Sequence, residues 1–233
     1  MKFGKRLGVY AIGLVILAVG LVLNTKTGWG VSPLVAIAYC VSQITALKFA
    51  NTTLVAFLIY FVAESLIKGK KNFKVFDLLQ IPFCYIFTRC MDLISALLPT
   101  PDALWIRILI LVLAITCIGF GAAIMLAMRL VPNPADGLVQ ALSERLRRPM
   151  GITKNAFDIL SGCAALAIGL LAVHRVVGVG IGTIAAMLGT GRAVALCNRL
   201  FGKSMERIRR DAPLAFLGEG PVDEPGVAEQ AET

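Results

Sequence analysis

Arg89 and Asp92 lie three residues apart inside an apolar run, and few residues in this 233-residue chain offer more chemistry. Exposing a charge to hydrocarbon costs about 2.5–3.5 kcal/mol on insertion scales, so such residues persist where they pair, bind or conduct. The spacing sets both on one helical face. Gln80, Cys84, Thr88 and Asp92 recur at every fourth position and give the same helix a polar stripe. A second intramembrane arginine, Arg192, sits among Gly189, Thr190 and Gly191. Two guanidiniums with one close acid leave a positive surplus, which suits a small anionic or zwitterionic solute held by planar five-donor forks. The competing reading is structural: Arg89 and Asp92 neutralise each other, and Arg192 pairs with Asp158 or reaches past Asn198. Asn155, Asp158, Ser161 and Gly162 also follow helical spacing. Lys154, four residues before Asp158, makes a local ion pair one reading; a substrate-contacting or proton-coupling acid is the other. The candidate solute-binding set is Arg89, Asp92, Arg192, Asp158, Thr88 and Gln80.

Little else points to catalysis. The six cysteines (40, 84, 90, 117, 163 and 197) fall in apolar or helical runs with no CxxC, and His174 is the sole histidine. They read as small buried hydrophobes, and neither zinc nor another cofactor is expected. No nucleophile–base pair is apparent, so the chain does not read as an enzyme. Gly178, Gly180 and Gly182 open an apolar helix, where such glycines serve close packing rather than phosphate binding.

The elements that position these residues are membrane helices. The chain is 58% hydrophobic with mean hydropathy +0.80, against roughly 45–50% apolar in soluble domains even with glycine counted. Apolar runs of spanning length occur at 7–23, 51–67, 76–98, 104–128, 155–173 and 178–201. With a cytoplasmic N-terminus, the inside segments hold sixteen Lys and Arg, and the outside segments hold only Lys26, Lys48, Arg107 and Arg175. That asymmetry places both termini in the cytoplasm. The net charge of +9 is therefore read as membrane orientation, not nucleic-acid binding. Residues 211–233 carry six acids and no Lys or Arg, the composition of a disordered tail.

Two apolar or amphipathic stretches are too short to span. "SPLVAIAYCVSQITAL" opens with Ser32-Pro33, and its sister "NPADGLVQALSERL" opens with Asn133-Pro134, at an offset of 101 residues. Each is predicted to be a helix with an N-cap and a first-turn proline. Arg6 and Arg107 match at the same offset. Each half thus reads as span, short helix, span, span. An odd number of spans per half inverts one half relative to the other. The expected architecture is all-α: a polytopic membrane protein of six transmembrane helices plus two short interfacial or re-entrant helices. It is expected to form an inverted 3+3 repeat over 1–100 and 101–210, with the tail at 211–233. Under that inversion Arg89 and Arg192 approach the bilayer midplane from opposite sides.

"LNTKTGWGVSPLVAIAY" and the glycine-rich "VGVGIGTIAAMLGTG" resemble the YczE/YyaS/YitT family of bacterial integral membrane proteins, over roughly residues 5–202. The resemblance implies a multi-pass protein of the bacterial inner membrane; it supplies no catalytic residues. The function expected from the residues is a small secondary transporter or permease-like protein. Its expected partners are the lipid bilayer, a small anionic solute and a second copy of the chain as a homodimer. The alternatives are the substrate-binding subunit of an ATP-driven vitamin transporter, and a membrane accessory protein without transport.

Overall fold

The computed structural model describes residues 2–72 and 75–211, without the side chains of residues 2, 3, 70–72, 75 and 76. The acidic tail beyond Asp211 and the side chains of Lys70, Lys71 and Lys74 lie outside the described residues. The secondary structure among them is helical: α1 Lys2–Lys26, α2 Pro33–Thr45, α3 Phe49–Asn72, α4 Gln80–Leu97, α5 Leu104–Met128, α6 Pro134–Leu146, α7 Met150–Val173 and α8 Ile181–Arg210. A short 3-10 turn, Val75–Leu79, leads into α4. Gly69, at φ 64°, breaks the helical path near the end of α3.

Among the described residues, five helices are long and apolar enough to cross a membrane: Gly4–Lys26, Phe49–Gly69, Leu104–Met128, Met150–Val173 and Ile181–Arg210. The chain is a polytopic membrane protein. Leu93, Leu104, Trp105, Leu171 and Ile181 stand more than 60% exposed on its outside, where lipid solvates what water would not. Six spans were expected. α4 has 18 residues, about 27 Å of helix, but Gln80, Arg89 and Asp92 dilute its apolar surface, and it does not join the five. α8 outruns its expected end by nine residues because "GKSMERIRR" continues the helix to Arg210.

α2 and α6 each have 13 residues, about 20 Å of helix, too short to cross ~30 Å of hydrocarbon. Both begin with proline and end in a left-handed residue, Ala46 or Arg147. Their caps differ from the shared pattern expected. Asn133 Oδ1 accepts from the Ala135 amide at 3.2 Å, whereas the Ser32 side chain makes no cap bond. Asn133→Ala is therefore expected to cost about 0.5–2 kcal/mol, and Ser32→Ala much less. Thermal unfolding of the two variants in detergent checks this; equal losses would overturn it.

The centre of the molecule is the antiparallel pair α1–α5, joined through glycines. A Cβ on Gly20 would lie 2.6 Å from the Ile118 amide nitrogen, and one on Gly121 would lie 2.5 Å from that of Leu17. Gly20 and Gly121 stand 101 residues apart, as do Leu17 and Ile118. The two contacts are thus the same contact made in reverse. The other packing pairs match in the same way. α2 lies on α7 as α6 lies on α3, and α4 lies on α1 as α8 lies on α5. Starts of α2 and α6, α3 and α7, and α4 and α8 are each 101 residues apart.

The arginines matched in the sequence both close helix ends or turns. Arg6 Nε donates to the Met128 carbonyl at 2.8 Å, at the end of α5. Arg107 Nε donates to the Pro101 carbonyl at 3.0 Å, and its guanidinium lies beside Gly28 just past α1. At that same end the Gly178–Gly182 stretch meets a loop rather than a helix. The Val31 amide donates to the Gly178 carbonyl at 2.9 Å, and the Gly182 amide to the Trp29 carbonyl at 2.7 Å. Gly30 has φ 101°, and a Cβ there would sit 2.6 Å from the Gly180 nitrogen, so glycine is required twice over.

Candidate functional site

The first turn of α6 is packed between α3 and α7, and charged groups of both helices converge on it. On the α3 side, Glu64 is 1% exposed, and its Oε1 lies 2.6 Å from Lys68 Nζ. Lys68 also reaches Asp77 Oδ2 at 3.3 Å. Gln80 Nε2, at the start of α4, donates to Glu64 Oε1 at 3.3 Å. The carboxylate rests directly on Gly137 of α6, where a Cβ would lie 2.8 Å from its Cδ. Only glycine leaves room for this acid.

On the α7 side, Lys154 Nζ lies 3.0 Å from Asp136 Oδ1. Asp158, 9% exposed, lies within electrostatic reach of both Lys154 and Asp136. Tyr60, one helical turn before Glu64, faces Ser161 and Asp158. Of the two readings of Asp158, the close i,i+4 ion pair is not formed: Lys154 reaches across to Asp136 of α6 and stays within electrostatic reach of Asp158.

Beside this network lies a small cavity. Its walls include Tyr10 and Leu14 of α1, Phe57 of α3, Gln80, Phe83, Cys84 and Phe87 of α4, and the turn Pro132–Pro134. The cavity is small, about 20 Å³, room for little more than one small polar group. Tyr10 and Phe83 meet edge to face with centroids 5.3 Å apart, and Phe57 stacks on Phe87 at 5.9 Å. The Tyr10 hydroxyl donates to the Val131 carbonyl at 2.9 Å. Two buried acceptors are left over here: among the described residues, Glu64 Oε2 and Gln80 Oε1 have no hydrogen-bond partner. A buried polar atom without a partner typically costs about 1–3 kcal/mol, more when charged, so each asks for an explanation.

The six residues singled out in the sequence fall in four places. Gln80 and Asp158 belong to the network around α6. Thr88 is buried on the same stripe as Gln80 and Cys84, but its hydroxyl donates to the Cys84 and Tyr85 carbonyls of its own helix. Asp92 and Arg89 lie towards the other end of α4, at the start of α3. Asp92 pairs with Lys48 at 3.4 Å and with Arg89 at 3.9 Å. Arg89 also donates to Asn51 Oδ1 and lies 5.3 Å over the Tyr85 ring. Arg192 is exposed on α8 and donates to the Leu188 carbonyl at 2.9 Å. The arginines do not meet, because α4 is seated on α1 and α3 while α8 is seated on α5. Arg192 also has no contact with Asp158, which is engaged at α6.

Sequence reasoning missed Glu64, Lys68 and Asp77. Glu64 is the one acid in Phe49–Gly69, and Lys68 lies one turn on at the span's edge, so the two pass for an interfacial pair. The burial comes from α6 folding back over them. The informative sign was Gly137, a glycine inside the first turn of a short amphipathic helix. Among the described residues, no group of three or more His, Cys, Asp or Glu side chains is placed to hold a metal ion.

Comparison with known proteins adds one assignment. No curated protein and no solved structure matches the chain. A family model covers residues 4–199, which takes in all eight helices up to the last turns of α8 and both sides of the α6 network. The chain belongs to the DUF6198 family, a family of unknown function.

Proposed function

We propose that this protein is a small secondary transporter or permease of the bacterial inner membrane, built as an inverted repeat. Its solute or coupling site lies in the network and cavity at the first turn of α6. The carrying observation is the pair of unpartnered buried acceptors, Glu64 Oε2 and Gln80 Oε1, beside that cavity. Intramembrane charges that are buried, linked and incompletely satisfied are what ion and solute pathways require. The inversion is supported by the antiparallel α1–α5 pair, the reciprocal glycine contacts and the common offset of the helix starts. The resemblance to the YczE/YyaS/YitT proteins fits the same reading. A site shared by Arg89 and Arg192 has no support in the packing, so we place the solute with the acids and not with the arginines.

Both termini are assigned to the cytoplasm from the Lys/Arg asymmetry, with α4, 18 residues and about 27 Å long, taken as a sixth crossing beside the five more apolar helices. Lys26→Cys, as a sole cysteine, is then expected to react with an impermeant thiol reagent added outside the cell, and Lys203→Cys only after the membrane is opened. The reverse pattern would invert the topology.

Cys84, 4% exposed and part of the cavity wall, tests transport itself. A carrier opens its central site to each side in turn. With Cys84 as sole cysteine, slow reaction with the impermeant reagent is expected from outside in intact cells and also in inside-out vesicles. Reaction from one side only, or from neither, would favour a membrane protein without transport.

A further inference from the structure

We propose that the α6 site selects a small organic cation with an ammonium head, bound in the cavity between Phe83 and Gln80; this rests on the solute site proposed above. Among the described side chains, three acids and two lysines meet at the first turn of α6: Glu64, Asp136 and Asp158 against Lys68 and Lys154. Formally that set carries −1. The partial positive charge at the α6 N-terminus offsets some of it, but Glu64 and Asp136 already occupy that turn. In a low-dielectric interior an uncompensated negative charge favours a bound cation.

The cavity adds the chemistry that distinguishes an organic cation from a metal ion. Among the described residues no Lys or Arg lines it, and four of its walls are aromatic rings: Tyr10, Phe57, Phe83 and Phe87. Ring faces attract ammonium groups through their quadrupole, and a desolvated pocket strengthens the attraction. Gln80 joins the two parts of the site. Its Nε2 donates to Glu64, while its Oε1 is buried and unpartnered on a residue that lines the cavity. An ammonium N–H supplies the missing donor; a carboxylate or phosphate would add a third acceptor beside two that already lack partners. The cavity's small size limits the head to about that of methylammonium.

Thermal unfolding of the full-length protein in detergent tests this, with methylammonium chloride replacing sodium chloride at constant ionic strength. A ligand that binds only the folded state raises the melting temperature saturably. Wild type is expected to show that rise and Glu64→Gln to lose it. Phe83→Leu, which keeps an apolar wall but removes a ring face, is expected to weaken half-saturation by about 2- to 30-fold. Because it leaves every charge in place, it decides the matter if Glu64→Gln fails to fold. A response larger in sodium than in methylammonium would overturn the organic cation in favour of an inorganic one. A saturable response to sodium acetate over sodium chloride, lost in Glu64→Gln, would overturn it in favour of an anion. No saturable response, or one untouched by Phe83→Leu, would overturn it outright. Two-sided reactivity of Cys84 is read independently, so a failed cation leaves the transport reading to stand or fall by itself.

Discussion

Gly121→Ala is expected to destabilise the protein by about 1–3 kcal/mol, the usual range for overpacking a close interior contact. The added methyl would lie 2.5 Å from the Leu17 nitrogen and 2.7 Å from its Cα. These are backbone atoms of a neighbouring helix, so no rotamer change relieves the overlap, and α1 must move away from α5. Gly20→Ala is expected to cost a similar amount, since its methyl would meet the Ile118 nitrogen at 2.6 Å and the Cys117 Cβ at 2.9 Å. Gly191→Ala is the control. It lies within α8 with nothing inside 4 Å of the added methyl, so removing a flexible residue from a helix is expected to stabilise by about 0.5–1 kcal/mol. Opposite signs for the same chemical change are a demanding result. Thermal unfolding in detergent measures all three, and a Gly121→Ala protein as stable as wild type would mean that α1 and α5 do not cross here. Membrane helices lack a hydrophobic drive towards one another, which is why so much rests on close backbone approach.

Those glycines also mark what was legible beforehand. The helices themselves could be read from apolar length, and the two short ones from Ser-Pro and Asn-Pro starts at a common offset. Their partners could not. Period and hydropathy say that a residue lies in a helix; they do not say which helix covers it. Arg89 and Asp92 stood out because each interrupts an apolar run, yet the fold draws them to Asn51 and Lys48 at the start of α3. Glu64 looked ordinary because it sits near the end of a span, and it becomes buried only when α6 returns across α3. Gln80 was identified as one member of a polar stripe on α4. Its partner, sixteen residues away across the 3-10 turn, depends on tertiary contact that no local pattern encodes. Ser32 fails as a cap for a related reason: residue type sets the opportunity, and the surrounding loop decides whether the hydroxyl turns to the helix.

Lys68→Met is expected to be among the most damaging single changes at the site. Methionine keeps the length and most of the volume of the side chain but leaves Glu64 and Asp77 without their shared cation. The Glu64 side chain is 1% exposed and that of Lys68 18%, so bulk water does little to screen the pair. Breaking a buried ion pair from one side typically costs about 3–5 kcal/mol, mostly from the charge left behind. Glu64→Gln is expected to cost less, because Lys68 keeps Asp77 at 3.3 Å and the new amide has the same shape. The double change then follows a definite order. Glu64→Gln with Lys68→Met removes both the stranded carboxylate and its cation, so it is expected to be more stable than Lys68→Met alone. A simple sum of the single losses would show that the groups act independently. Unfolding midpoints of the three variants in one detergent measure the coupling. Strong coupling with Glu64→Gln still folded would identify Lys68 as the group that holds this carboxylate in place, and would leave Glu64 free to be tested for ligand response without loss of the fold.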